Sequence, residues 1–135
     1  MQTTRLLTSL LLVLGAAGAM AQSTGTGTVQ RDVNQQNRIE QGLQNGSLTT
    51  REAGKLEREE SNIDRMQARD LRDGKLTPRE RAQLRRAQDR ASQDIRRDEN
   101  NAATGNPQSA SSQRMQADVQ RNANQKGRIE HGLQS

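Results

Sequence analysis

Apolar residues are sparse along this chain, and where they occur they fall at helical intervals. Val29 and Val33 lie one turn apart, and Ile39 and Leu43 repeat that spacing. The pattern predicts a first helix from Val29 onward. Asn45-Gly46 ends it, because glycine accepts the left-handed backbone that closes a helix.

Leu48-Thr49-Thr50-Arg51-Glu52 predicts the start of a second helix. Thr49 and Glu52 form a capping box: the hydroxyl accepts from the Glu52 amide, and the carboxylate reaches back to the Thr49 amide. Leu48 precedes the cap as a hydrophobic staple against Ala53. The apolar stripe that follows is Ala53, Leu56, Ile63 and Met66, with Leu71 near the end, interrupted at Glu59-Glu60. The same punctuation returns 28 residues later in Asp73-Gly74-Lys75-Leu76-Thr77-Pro78-Arg79-Glu80. Gly74 is the stop, Leu76 the staple, Thr77 the cap and Glu80 its box partner. Pro78 fits the first helical position, where its missing amide has no partner to lose. A third helix then carries Leu84, Ala87, Ala91 and Ile95 on one face.

Residues 29–98 therefore read as a short antiparallel three-helix unit of an all-α protein, since short turns bring consecutive helices side by side. Residues 99–112 read as a disordered linker, polar and small, with Gly-Asn-Pro in the middle. Beyond it the opening of the chain returns. Residues 29–44 (VQRDVNQQNRIEQGLQ) and 119–134 (VQRNANQKGRIEHGLQ) agree at eleven of sixteen positions, at a constant offset of 90. Residues 113–135 are thus expected to be a lone repeated helix, the opening of an incomplete second unit, as in a two-unit protein with a broken reading frame.

The N-terminus reads as an address. Arg5 supplies a positive start, residues 6–14 an apolar run and Ala19-Met20-Ala21 a small-x-small cleavage site. Residues 1–21 are expected to be a cleaved signal peptide, too short to span a bilayer, which needs roughly 20 apolar residues. The mature chain would begin at Gln22, pass through a flexible leader at 22–28, and reside in the periplasm or outside the cell. No cysteine is present to carry a lipid anchor.

Composition narrows the picture. Cys, Phe, Trp and Tyr are all absent, which removes disulfide staples and the largest contributors to core burial. Beyond the leader, Leu, Ile and Val make up roughly an eighth of the residues, below the ~20% at which disorder becomes the default. The mean hydropathy of -1.09 agrees. Any fold must be thin and helical, or covered by a partner. The formal net charge is +5, and +4 once Arg5 is removed. That modest excess, mostly arginine interleaved with acids, fits a solvated helical surface. With no aromatic to stack a base, it argues against nucleic acid as partner.

Candidate chemistry is scarce. His131 is the single histidine, and its place in the first copy is taken by Gln41. No base stands ready to activate a serine, and no cofactor cradle is visible; the reading is non-enzymatic. Asp70, Asp73 and Glu80 are weak candidates for a degenerate EF-hand-like calcium site, because Arg69 would occupy the first ligand position. Gly46, Leu48, Thr49, Glu52, Gly74, Leu76, Thr77, Pro78 and Glu80 are read as structural.

The phrases RIEQGL at 38–43 and DGKLTPRER at 73–81 resemble a group of small exported proteobacterial proteins with no established activity. The resemblance covers 29 to about 101 and resumes from 113. It implies a helical unit that occurs twice, and it brings no catalytic residue. A looser similarity is to Spy-type periplasmic chaperones, whose LTxxQ phrases begin helices; this chain has Glu52 and Glu80 where that phrase has Gln.

These observations lead to an exported, non-enzymatic helical protein acting through contacts with another protein or a second copy of itself. The expected contact face is the stripe Leu56, Ile63, Met66, Leu84 and Ile95, left half-covered by a thin core. A Spy-like holdase and a calcium or metal sensor are the alternatives.

Overall fold

The computed structural model describes residues 19–134. Most of the expected signal peptide, residues 1–18, lies outside the described residues. The protein is all-α, with helices α1 (Ala19–Asn45), α2 (Thr50–Asp70), α3 (Pro78–Glu99) and α4 (Ala110–Gln134). They form a four-helix bundle in which α1 lies antiparallel to α4 and parallel to α3. α1 packs along α3 and α4, α2 packs along α3 and α4, and α1 meets α2 across the middle.

The helix ends follow from local chemistry. Thr49 Oγ1 accepts from the Glu52 amide at 3.2 Å, and the Glu52 carboxylate accepts from the Thr49 amide at 2.9 Å. Thr77 and Glu80 repeat this at 3.2 and 2.7 Å, with Pro78 as the first residue of α3. Gly46 and Gly74 close the preceding segments at φ +80 and +81, a region that costs other residues about 1 kcal/mol or more.

Three expectations are corrected. First, α1 reaches back to Ala19 through the segment read as a flexible leader. Once residues 29–43 are held by packing, each further residue needs only one more hydrogen bond to propagate the helix. Second, the connection at 99–112 is ordered. The Gly105 amide donates to the Gly46 carbonyl at 2.8 Å, and Asn101 Nδ2 donates to Glu52 at 2.6 Å. A Cβ at Gly105 would lie 2.2 Å from the Leu48 carbonyl oxygen, so only glycine allows this approach. Ser109 then caps α4, its Oγ accepting from the Ser112 amide at 3.1 Å. The helix starts three residues before the expected Gln113.

Third, α4 is not alone. The repeated segment packs antiparallel against its own first copy. Ile39 of α1 and Val119 of α4 share one core cluster, while Val29 and Ile129 line one cavity. The offset that turns Val29 into Val119 also turns Ile39 into Ile129. The α1–α4 pairing is therefore close to two-fold symmetric, as in an isologous interface between two subunits.

Two small clusters fill the interior. Ile39, Leu43, Leu48, Ala53, Leu56, Ile95 and Val119 occupy one end of the bundle. Ile63, Leu84, Ala87 and Ala91 lie between α2 and α3, with Met66 and Leu76 against them. Polar residues fill the α1–α3 seam. Gln35 Nε2 donates to the Gln88 carbonyl at 2.8 Å and to Ser92 Oγ at 2.7 Å, and Gln88 Nε2 donates to Asp32 at 2.8 Å. Hydrogen-bonded glutamines thus stand where apolar side chains are missing.

Candidate binding cavity

The expected contact face is inside the bundle. Leu56, Ile63, Leu84 and Ile95 are buried, and Met66 is partly buried against the second cluster. Three helices alone would leave Leu56 and its neighbours half-covered; α4 supplies the cover through Val119 and Met115. Two large apolar residues are exposed among the described residues, Leu71 at 39% and Ile129 at 57%. Both border the same cavity.

That cavity, of about 480 Å3, opens between α1, α2 and α4. Its mouth carries the exposed Ala68, Leu71 and Ile129, and its buried lining is polar apart from Val29. From α1 come Asp32 and Gln36, from α2 Glu57, Glu60 and Asp64, and from α4 Asn122 and Lys126. The apolar end arises from the internal repeat. Ile39 is buried among Ala53 and Leu56 of α2 and Ile95 of α3, whereas its twin Ile129 is exposed at the cavity.

Lys126 organises the floor. Its Nζ lies 3.2 Å from Asp64 Oδ1 and 3.5 Å from Glu60 Oε2. Glu57 accepts from Asn122 Nδ2 at 2.8 Å. Burial pushes the Glu60 carboxyl up to about 8 against the pull of Lys126. It pushes Asp32 up to about 6 despite the Gln88 hydrogen bond and Lys126, and it raises Glu57 as well. Burial alone would lower the Lys126 pKa, but Asp64, Glu60 and Asp32 together hold its ammonium above the ordinary value. The four carboxylates face one fixed cation, and desolvation keeps part of that negative charge protonated. Chemically the arrangement offers an apolar rim able to cover a hydrocarbon group and an acceptor-rich floor beneath it.

The calcium candidates are engaged locally. Glu80 serves the Thr77 cap, Asp73 accepts from the Lys75 amide at 3.2 Å, and Asp70 accepts from Arg69 Nε at 3.1 Å. Among the described residues, no three His, Cys, Asp or Glu side chains are grouped to hold a metal ion.

Asp32, Glu57, Glu60, Asp64 and Lys126 were not among the sequence candidates. Two signals point to them. Glu60 sits in the gap of the α2 stripe, at a position that faces inward. Asp32 and Lys126 fall where the repeat copies differ, replaced by Asn122 and Gln36 respectively. Those two differences meet in space: the twin of the charged Asp32/Lys126 site is the neutral Gln36/Asn122 site. No helix among the described residues is long and apolar enough to cross a membrane. No protein-family model, curated protein or solved structure matches this chain.

Proposed function

We propose that this chain is an exported, non-enzymatic helical module that works by seating an apolar side chain of a partner protein in the mouth of the cavity between α1, α2 and α4. One observation carries the reading: the two large apolar residues exposed among the described residues, Leu71 and Ile129, flank one cavity. Scattered exposed apolar side chains need no explanation, but two at the rim of a concave site do. An inserted side chain would complete at this end the core that Leu48 and Leu56 complete at the other.

The test is site-specific cross-linking in cells expressing the chain with its leader. A photoreactive residue in place of Ile129 should give a discrete protein adduct. The same residue in place of Arg79, outside the cavity, should not. Leu71→Asp should remove the adduct while leaving the helical circular dichroism intact. Equal adducts from both positions, or none from 129, would reject the cavity as the contact point. Recovery of a mature chain beginning at Gln22 from the exported fraction tests the leader.

A further inference from the structure

The charges of α3 are mixed in sequence but sorted in space. Asp89 pairs with Arg31 of α1 at 2.7 Å, and Glu99 pairs with Arg38 of the same helix. Asp94 and Asp98 both pair with Arg97, and Glu80 is held in the Thr77 cap. Every acid of α3 is thereby engaged. Arg79, Arg85, Arg86, Arg90 and Arg96 make no ion pair among the described residues.

Arg86 and Arg90, one turn apart, line an open groove of about 660 Å3 between α2 and α3, on whose α2 wall stands Arg69. Arg69 donates through Nε to Asp70. Gln83 and Gln93 add neutral hydrogen-bonding groups, and Met66 lines the groove beside them. Asp89, the acid that lines the groove, pairs with Arg31, and Asp70 stays on Arg69 Nε. Three guanidinium forks on one concavity suit an anion with more acceptor oxygens than a carboxylate offers, since each fork takes two oxygens at its best geometry.

We propose that the outer α2–α3 groove is a phosphate-binding site, read by Arg69, Arg86 and Arg90. The ligand is a compact phosphate group, either free or on a lipid headgroup. The site is distinct from the cavity of α1, α2 and α4, so its failure would leave that reading untouched.

The experiment titrates the whole mature protein with pyrophosphate by calorimetry. In parallel it is floated with phosphatidylcholine vesicles with and without phosphatidic acid. Saturable pyrophosphate binding should appear, and Arg86→Gln with Arg90→Gln should weaken it about tenfold, roughly 1.4 kcal/mol. The control pair Arg79→Gln with Arg96→Gln removes equal charge outside the groove and should leave binding within about twofold. Flotation that depends on phosphatidic acid and is lost in the groove variant assigns the lipid source; pyrophosphate binding without flotation assigns the free anion. Both variants are exposed and should melt like the parent by circular dichroism. Equal losses in the two pairs, competition by poly-glutamate as strong as by pyrophosphate, or binding of duplex DNA without pyrophosphate binding would each overturn the proposal.

Discussion

Replacing Glu60 by Gln separates two opposite views of the buried cluster. Glu60 is 1% exposed, and its carboxyl titrates near 8 in the fold instead of 4.5. A carboxyl raised in this way binds its proton more tightly in the folded state. It stabilises the fold below about 4.5, and that contribution is lost as pH rises toward 8. The interval is about three and a half pH units at ~1.4 kcal/mol each, an upper limit of ~5 kcal/mol. Water entry and relaxation around a cavity-lining group reduce this, and ~1–3 kcal/mol is the working expectation. Asp32 adds to the same trend between 3.8 and about 6. Gln mimics the protonated acid in shape and removes the charge. Glu60→Gln should therefore be nearly neutral at pH 5 and more stable than the parent by ~1–3 kcal/mol at pH 9. Urea unfolding followed by far-ultraviolet circular dichroism measures this, since no aromatic residue offers a fluorescence signal. Loss of stability at pH 9 would refute the reasoning. It would mean that ionised Glu60 and Lys126 stabilise the fold as a pair.

The two repeat glycines should respond oppositely to the same change. At Gly42 an added Cβ would lie 2.6 Å from the Leu48 side chain, so Gly42→Ala should cost about 1–3 kcal/mol by overpacking. At Gly132 nothing lies within 4 Å, so Gly132→Ala should stabilise α4 by up to about 1 kcal/mol; urea midpoints of the two variants decide it. Ile95→Ala, in the fully buried cluster, should cost about 2–5 kcal/mol and leave a fold this thin largely unfolded by circular dichroism. Thr77→Ala should lower the thermal midpoint by the loss of a cap worth about 1 kcal/mol.

What the sequence made legible was local. Thr49 with Glu52 and Thr77 with Glu80 reveal helix starts because both partners lie within four residues of each other. Gly46 and Gly74 reveal stops because the strain they avoid belongs to a single residue. The core residues of α2 and α3 also followed from spacing, but their role did not. Leu56 and Ile95 look half-covered when only three helices are counted, and they become buried when α4 lies down on α1. That event depends on a contact across 90 positions between two copies of one phrase, and periodicity within either copy does not contain it. The cavity was hidden for the same reason. Glu60 looks like a break in an apolar stripe until Lys126 arrives opposite it from the other end of the chain. The order in residues 100–109 was likewise invisible, since it depends on Gly105 meeting the Leu48 backbone.

The α1–α4 seam has a consequence for how a copied helix finds its mate. Two strangers need complementary surfaces to evolve on both sides, whereas a duplicated helix that already fits itself is born with a sibling to grip. Left identical, the siblings would be equally content with the matching helix of another molecule. Divergence at two sites breaks that indifference. Like meeting like would set Asp32 toward Gln36, or Lys126 toward Asn122, and only the cross-match aligns acid with base. A pair of substitutions thus favours the pairing of α1 with α4 over that of either helix with its own kind.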